Sequence, residues 1–204
     1  ISVLEKYNEL GYRDAIIVRD SVIKNDNDNT VKVELWIEEG NKYHIRNFKW
    51  VGNTIYPSPL LENYLGIRKG EVYNQKRLDK RLKTDNDALS NLYLDKGYLF
   101  SSIIPVENYA EGDSIDFEMR ISEGPQATID RVIIQGNTKT HEQVARRELY
   151  TLPGDLFSKT QLMRSYRQLA QLGHFDQERI GIDPMPKQEN GTVDIKYSLV
   201  ERAN

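Results

Sequence analysis

Three stretches of the chain alternate with a period of two between core-facing and polar positions: Val31 to Ile37, Ile115 to Ile121 and Val193 to Leu199. That period predicts half-buried strands. Between them the period lengthens to that of a helix. Leu78, Leu82, Asp85, Leu89, Leu92 and Tyr93 fall at spacings of three, four and seven with one polar exception, while Lys80, Lys83 and Asp87 take the other side. One continuous helix is expected there, ending at Lys96-Gly97-Tyr98. Leu162, Tyr166, Leu169 and Leu172 form the corresponding stripe further on, opened by a capping box at Ser158-Lys-Thr-Gln161 and closed by Gly173-His174-Phe175. Leu4, Tyr7 and Leu10 before Gly11-Tyr12 place residue 1 inside such a helix, in a unit without its opening strand and first helix.

The remaining segments fill in the unit. Tyr43 to Val51 reads as a strand stopped by Gly52-Asn53, and Ser58-Pro59 as a cap followed by proline at the first position of a helix that ends at Gly66. The equivalent later helix starts at the capping-box pattern Thr140-His-Glu-Gln143 and ends near Leu149. Each long helix precedes two strands joined by a polar turn. These are Ile16 to Ile23 with Thr30 to Ile37, Ile103 to Tyr109 with Ser114 to Ile121, and Arg179 to Asp183 with Thr192 to Val200. Gly70 to Gly97 is 27 residues and Gly154 to Gly173 only 19, so the central helix is expected to be longer by about two turns, ~12 Å.

Gly52-Asn53-Thr54 returns 84 residues later as Gly136-Asn137-Thr138, and Gly70 returns as Gly154. A period of this size describes tandem small domains. The expected divisions are 1–41, a partial domain with the second helix and last two strands, then 42–125 and 126–204, each complete. Their short links, Glu39 to Lys42 and Glu123 to Gln126, permit bending but not free tumbling. The fold class is α+β: strand, helix, helix, strand, strand, with two helices packed on a three-stranded mixed sheet. Core candidates are Phe48, Trp50, Leu61, Leu82, Leu89 and Phe117, and in the last domain Val132, Ile134, Val144, Leu162, Leu169 and Ile195. With the final strand central, the second strand lies at an edge, where unpaired N–H and C=O groups accept an extended chain. In the central domain that edge carries Ile103, Ile104, Val106 and Tyr109. Proline at Ile104 is expected to weaken such pairing without unfolding the domain.

Composition narrows the function classes. With 29% charged and 38% apolar residues and a net charge of −3, the chain has neither a strongly basic nucleic-acid surface nor the character of a disordered polyanion. No apolar run approaches the ~20 residues of a membrane helix and Ile1 does not open a signal peptide, so any targeting or membrane segment is expected outside this stretch. Cysteine is absent, which excludes disulfides and thiolate metal sites. His44, His141 and His174 suit no triad or metal site, and Asp26-Asn-Asp28-Asn-Thr30 lacks the turn glycine and distal glutamate of a calcium loop. Glu38, Glu39 and Glu123 recur at domain junctions and read as contacts to the next domain rather than as paired catalytic carboxylates. The basic run Lys76 to Lys83 reads as the wet side of a helix, and no phosphate-binding glycine loop is present. No catalytic residue, cofactor, metal, nucleic acid or small-molecule substrate is expected, and a periplasmic hydrolase lacks the pocket and perturbed acid it would need.

Taken together, the "GN" turn after the first strand, the "G-Y/F" end of the second helix and the "EG" after the last strand resemble the polypeptide-transport-associated (POTRA) domain. In the last repeat, Ile133-Ile-Gln-Gly136-Asn137, Arg146-Arg147-Glu148-Leu149, Gly154-Asp-Leu-Phe-Ser158, Leu172-Gly173-His-Phe175 and Val200-Glu201-Arg202 are similar to the barrel-proximal POTRA domain of the BamA family. Gly70-Glu-Val-Tyr73-Asn74 and Asp95-Lys-Gly97-Tyr98 resemble the domain before it. The resemblance implies a non-enzymatic periplasmic scaffold of a Gram-negative outer-membrane protein, carrying its own C-terminal membrane barrel beyond this stretch. It implies unfolded outer-membrane proteins as clients, periplasmic chaperones as donors, and accessory lipoproteins docked at Arg146, Arg147 and Glu148. The alternative it leaves open is the POTRA arm of a related transporter, in two-partner secretion or a translocation-and-assembly paralogue.

Overall fold

The computed structural model describes residues 2–25 and 28–202; Asp26 and Asn27 of the calcium-loop-like run lie outside the described residues. Among the described residues, eight strands form a two-stranded sheet, β1-β2, and two three-stranded sheets in the orders β3-β5-β4 and β6-β8-β7. The chain divides into two compact units, residues 1–88 with 103–121 and residues 89–102 with 122–204.

In the first unit, α1 (Val3–Glu9) opens with a reciprocal cap: the Glu5 N–H donates to the Ser2 hydroxyl at 3.4 Å, and the Ser2 N–H to the Glu5 carboxylate at 3.0 Å. β1 (Ile16–Asn25) and β2 (Thr30–Glu38) pair antiparallel, and this ribbon leaves Val22, Val31 and Val33 exposed. β3 (His44–Val51) runs parallel to β5 (Ser114–Ser122), which has β4 (Ser102–Glu111) on its other side. The period-two burial of β5 sends Ile115, Phe117, Met119 and Ile121 into the core.

Two helical expectations for this region are corrected. Helix α2 (Ser58–Leu65) is entered from Pro57 without a side-chain cap, so Ser58 is its first residue; the Ser58 hydroxyl instead accepts from the Asn53 amide at 3.2 Å. The expected long central helix is in pieces: α3 (Gln75–Asp79), a π-helical turn (Lys80–Thr84), an extended Asp85 and then α4 (Leu89–Leu94). The Asp85 N–H closes the π-turn on the Lys80 carbonyl at 3.0 Å. From that turn the Arg81 guanidinium reaches the Leu65 carbonyl at 2.9 Å and the Asp87 carboxylate at 2.7 Å. The extra residues are absorbed in a π-turn and a loop, not in two further turns of helix.

The second unit contains α4, β6 (Thr128–Gln135), α5 (Glu142–Arg146), α6 (Lys159–Gln171), β7 (Gly181–Lys187) and β8 (Thr192–Ser198). β6 is parallel and β7 antiparallel to β8. Ile129, Leu162, Leu169, Phe175, Ile195 and Tyr197 form its core, and Leu94, Leu99 and Phe100 pack against it from before Gly124. The core therefore continues across that junction. α5 has His141 as an uncapped N-cap and ends at Arg146, so the Thr140 capping box does not form and the helix stops short of Leu149. Ser158 does cap α6 by accepting from the Gln161 N–H at 3.3 Å, but Gln161 Oε1 is buried without a partner, so only half of that box exists. Arg179 lies in a 3₁₀ turn (Gln177–Arg179) ahead of β7. Of the core candidates, Trp50, Ile134 and Val144 are half-buried and the others buried.

The repeated glycine has a direct cause. Gly52 and Gly136 hold φ of 88° and 91°, and a Cβ there would sit 2.0 Å and 1.9 Å from the carbonyl oxygens of Ile121 and Leu199. Only glycine lets the first strand turn so close to the end of the central strand. The asparagine after it braces the turn, Asn53 Nδ2 donating to the Tyr56 carbonyl at 2.9 Å and Asn137 Nδ2 to the Thr140 carbonyl at 3.0 Å.

Candidate functional site: the free edge of the central sheet

A three-stranded layer has two rims, and the chain closes part of one. Beside the start of β3, the Gly70 N–H donates to the Ile45 carbonyl at 2.6 Å, the Ile45 N–H to the Glu71 carbonyl at 2.8 Å and the Tyr73 N–H to the Tyr43 carbonyl at 2.9 Å. The same segment in the last repeat brackets β6, with Gly154 to Ile129 at 2.8 Å and Phe157 to Ala127 at 2.9 Å. This accounts for the Gly70 and Gly154 repeat. The other rims are β4 and β7, each with the central strand as its one sheet neighbour among the described residues.

Along β4, Ile103 is 6% exposed and belongs to the core, Ile104 is 55% exposed, and Val106 is half-buried. Tyr109 lies within the strand, and its side chain is outside the described residues. Pro105 lies within β4, and a proline, which has no N–H, is accommodated on an edge strand or at a bulge. The Glu107 carboxylate pairs with Arg13 at 3.1 Å.

β7 runs in unbroken register with β8. It carries Pro184 opposite Ile195 and Pro186 opposite Val193, two residues of one parity, so two successive outward positions lack a donor.

The face of each sheet away from the core is charged. Arg46 holds Asp116 with two bonds at 2.9 and 2.6 Å, and Lys49 lies 3.3 Å from Glu118. The Arg46 hydrogen bond keeps the Asp116 carboxyl below its ordinary range. In the last sheet Asp194 is 3% exposed and takes Lys187 at 2.8 Å and Arg131 at 2.7 Å, and these two cations hold its carboxyl low.

The candidate lipoprotein dock is divided by its own contacts. Arg146 is turned back, donating from Nε to Glu142 at 3.0 Å and from Nη2 to the Val132 carbonyl at 3.2 Å. Arg147 is exposed and lies 3.3 Å from Glu148. Arg147 is exposed and Glu148 half-buried, while Arg146 secures α5 to β6.

The junction acids also bind within their own repeats. The Tyr93 hydroxyl donates to Glu123 at 3.1 Å, and Glu39 lies by the Tyr7 hydroxyl, whose pKa burial and that carboxylate raise. Glu201, just after β8, accepts from the N–H groups of Thr140 at 2.6 Å and Lys139 at 2.8 Å and from the Thr138 hydroxyl at 2.9 Å. Burial pushes its carboxyl up, but those donors outweigh it and hold the group at about 2. What crosses each link is a repeated latch. The Tyr43 N–H donates to the Gly11 carbonyl at 2.9 Å beside a 2.7 Å Lys76–Glu9 ion pair, and the Ala127 N–H donates to the Gly97 carbonyl at 2.7 Å beside Thr160 Oγ1 to Asp95 at 2.9 Å. Among the described residues no three His, Asp or Glu side chains converge to hold a metal.

The POTRA family model, described as a surface antigen variable number repeat, matches residues 43–124 and again 127–202. The outer membrane protein assembly factor BamA of Neisseria meningitidis serogroup B is 27% identical over 204 residues, which is 98% of this chain and 25% of that protein. BamA of Nitratidesulfovibrio vulgaris is 28% identical over 193 residues, 94% of this chain and 24% of its own length. The chain thus spans about a quarter of these relatives. In fold it is similar to the crystal structure of Haemophilus influenzae BamA POTRA3-5, with a TM-score of 0.77 at 21% identity over 97% of this chain and 77% of that one. Two matches to one repeat model, on two sheets of one strand order, lead to one conclusion: the chain belongs to the POTRA family.

Proposed function

We propose that the chain is the periplasmic arm of an outer-membrane protein assembly factor, which holds unfolded client chains by strand addition and docks accessory lipoproteins beside a membrane barrel. In this reading 1–41, 42–125 and 126–204 are one partial and two complete POTRA domains, and the last adjoins the barrel. Clients arrive from periplasmic chaperones and pair with β4. The observation that carries the reading is the outer edge of β4, which among the described residues has β5 as its sheet neighbour. Likeness over almost the whole chain to proteins named outer membrane protein assembly factors supports it.

A photo-crosslinking side chain at Ile104 should capture an unfolded outer-membrane protein, and one at Lys49, on the charged face over β3, should not. Capture at Lys49 alone would overturn the choice of edge. For the dock, Arg147→Glu should weaken lipoprotein pull-down while leaving stability unchanged, whereas Arg146→Ala should lower stability by about 1 kcal/mol through the freed Val132 carbonyl.

A further inference from the structure

The two latches occupy the same positions of the repeat but differ in chemistry. Glu9 stands two residues before Gly11 and Asp95 two before Gly97, and their partners Lys76 and Thr160 are 84 residues apart, the spacing of the repeat. The first contact is ionic: the Lys76 ammonium lies 2.7 Å from the Glu9 carboxylate, which bonds from Lys76 and Lys6 hold below its ordinary range. The second is a helix cap. Asp95 accepts from the Thr160 N–H at 2.7 Å and from the Thr160 hydroxyl at 2.9 Å, at the start of α6. Two residues after each glycine the same exchange recurs. Arg13 pairs with Glu107 at 3.1 Å and lies over the Tyr43 ring, whereas Leu99 packs against the core of the second unit. The second latch adds Lys159 Nζ to Asn91 Oδ1 at 2.8 Å and the Gln126 amide to the Lys96 carbonyl at 2.8 Å, neither of them a pair of opposite charges. In the first, the side chains of Lys76, Arg13 and Glu107 are 52%, 31% and 32% exposed, so dissolved salt screens both of its ion pairs.

We propose that the two links are unlike joints: the one at Glu39 to Lys42 is held by ion pairs and loosens as ionic strength rises, while the one at Glu123 to Gln126, held by a helix cap and apolar packing, does not. The residues two before and two after the glycine that ends each preceding helix, with the second residue of the helix that follows, set which kind of joint forms. Contact between apolar groups needs no charge, so screening acts on one link alone. The proposal concerns the chain's own joints and is independent of what the β4 edge or α5 binds.

Amide hydrogen exchange in the unmodified chain reads each latch through its own backbone bond, the Tyr43 N–H to Gly11 in the first and the Ala127 N–H to Gly97 in the second. Raising sodium chloride from about 0.02 M to about 1 M shortens the screening length to ~3 Å, and should speed exchange at Tyr43 about threefold while leaving Ala127 unchanged. Phe117, in the core of the first unit, is the steady reference. No speeding at Tyr43, or equal speeding at Ala127, overturns the difference between the links. Equal speeding at Phe117 assigns the effect to the whole unit and overturns it as well. The double variant Lys76→Thr with Glu107→Gln removes both ion pairs but keeps the Tyr43 bond and the bond from the Asn74 amide to the Glu9 carbonyl at 3.0 Å. Its Tyr43 exchange at low salt should already match that of the unmodified chain at high salt, and should no longer respond. A variant that still responds as the unmodified chain does overturns the assignment to these residues.

Discussion

The two three-stranded sheets share a strand order and a bulge in the first strand, between Ile45 and Asn47 in one and Ile129 and Val132 in the other, yet they finish their outer strands differently. In the last sheet Lys187 from β7 reaches Asp194 on β8 at 2.8 Å and Asp130 on β6 at 2.9 Å, so charge spans all three strands. The same β7 carries two prolines along its rim. In the central sheet Arg46 and Lys49 tie β3 to β5, while β4 has one proline and leaves Ile104 exposed. One outer strand is tied down by charge and carries two prolines; the other carries one beside an exposed isoleucine. Two copies of one plan can therefore separate duties, because the plan resides in the core-facing positions and the rim residues are free to differ.

The sharpest way to break the shared plan is to fill the space at its turn. Gly136→Ala should destabilise the chain by about 3 kcal/mol or more, as should Gly52→Ala, since each Cβ would meet a carbonyl oxygen that the central strand cannot withdraw. Chemical denaturation followed by circular dichroism measures both.

A smaller effect should separate the sheets. Asp194→Asn should cost about 2 kcal/mol, because Lys187 and Arg131 lose the buried carboxylate between them, and Asp116→Asn less, because its pair is open to water. The sign with pH follows from the lowered folded pKa. Asp194 contributes fully above its unfolded value near 3.8, and the contribution disappears as pH falls through the lower folded value. The Asp194→Asn deficit should therefore be full at pH 7 and shrink below about pH 4 in denaturation experiments at the two values.

Restoring donors should sharpen the contrast between edges. Under the strand-addition reading, Pro184→Ala with Pro186→Ala should raise the stoichiometry of binding of an extended client peptide from one to two per chain, read by titration calorimetry; an unchanged stoichiometry would show that proline is not what closes β7. The mildest expected effect is at Glu201, whose pKa is lowered from 4.5 to about 2. Its contribution is complete above pH 4.5 and lost between there and pH 2, so Glu201→Gln should flatten stability across that interval.

Much of this was legible from residue order. The alternation of Ile115 to Ile121 and Val193 to Leu199 was enough to make those strands central, and the recurrence of Gly52-Asn53 at Gly136-Asn137 marked the same turn twice. The candidate site was legible in part: β4 was readable as an edge, but that Ile103 is buried beside an exposed Ile104, and that Glu107 meets Arg13, needed the packed structure. The capping box at Thr140 was misleading because a pattern of four residues cannot register a competing acceptor from afar, whereas Ser158 does cap its helix. Thr140 already gives its N–H to Glu201, 61 residues away.

The limit is one of range. Period, turn chemistry and repeat spacing are properties of neighbours in the chain, and from them alone came the fold class, the tandem plan and the edge position of the second strands. The π-turn at Lys80–Thr84, the backward turn of Arg146 onto β6 and the charge laid across β6, β7 and β8 needed the tertiary structure. Each depends on groups distant in sequence that meet only when the layers pack, where a hydrogen bond or ion pair outweighs the weak local preference that the residues carry by themselves.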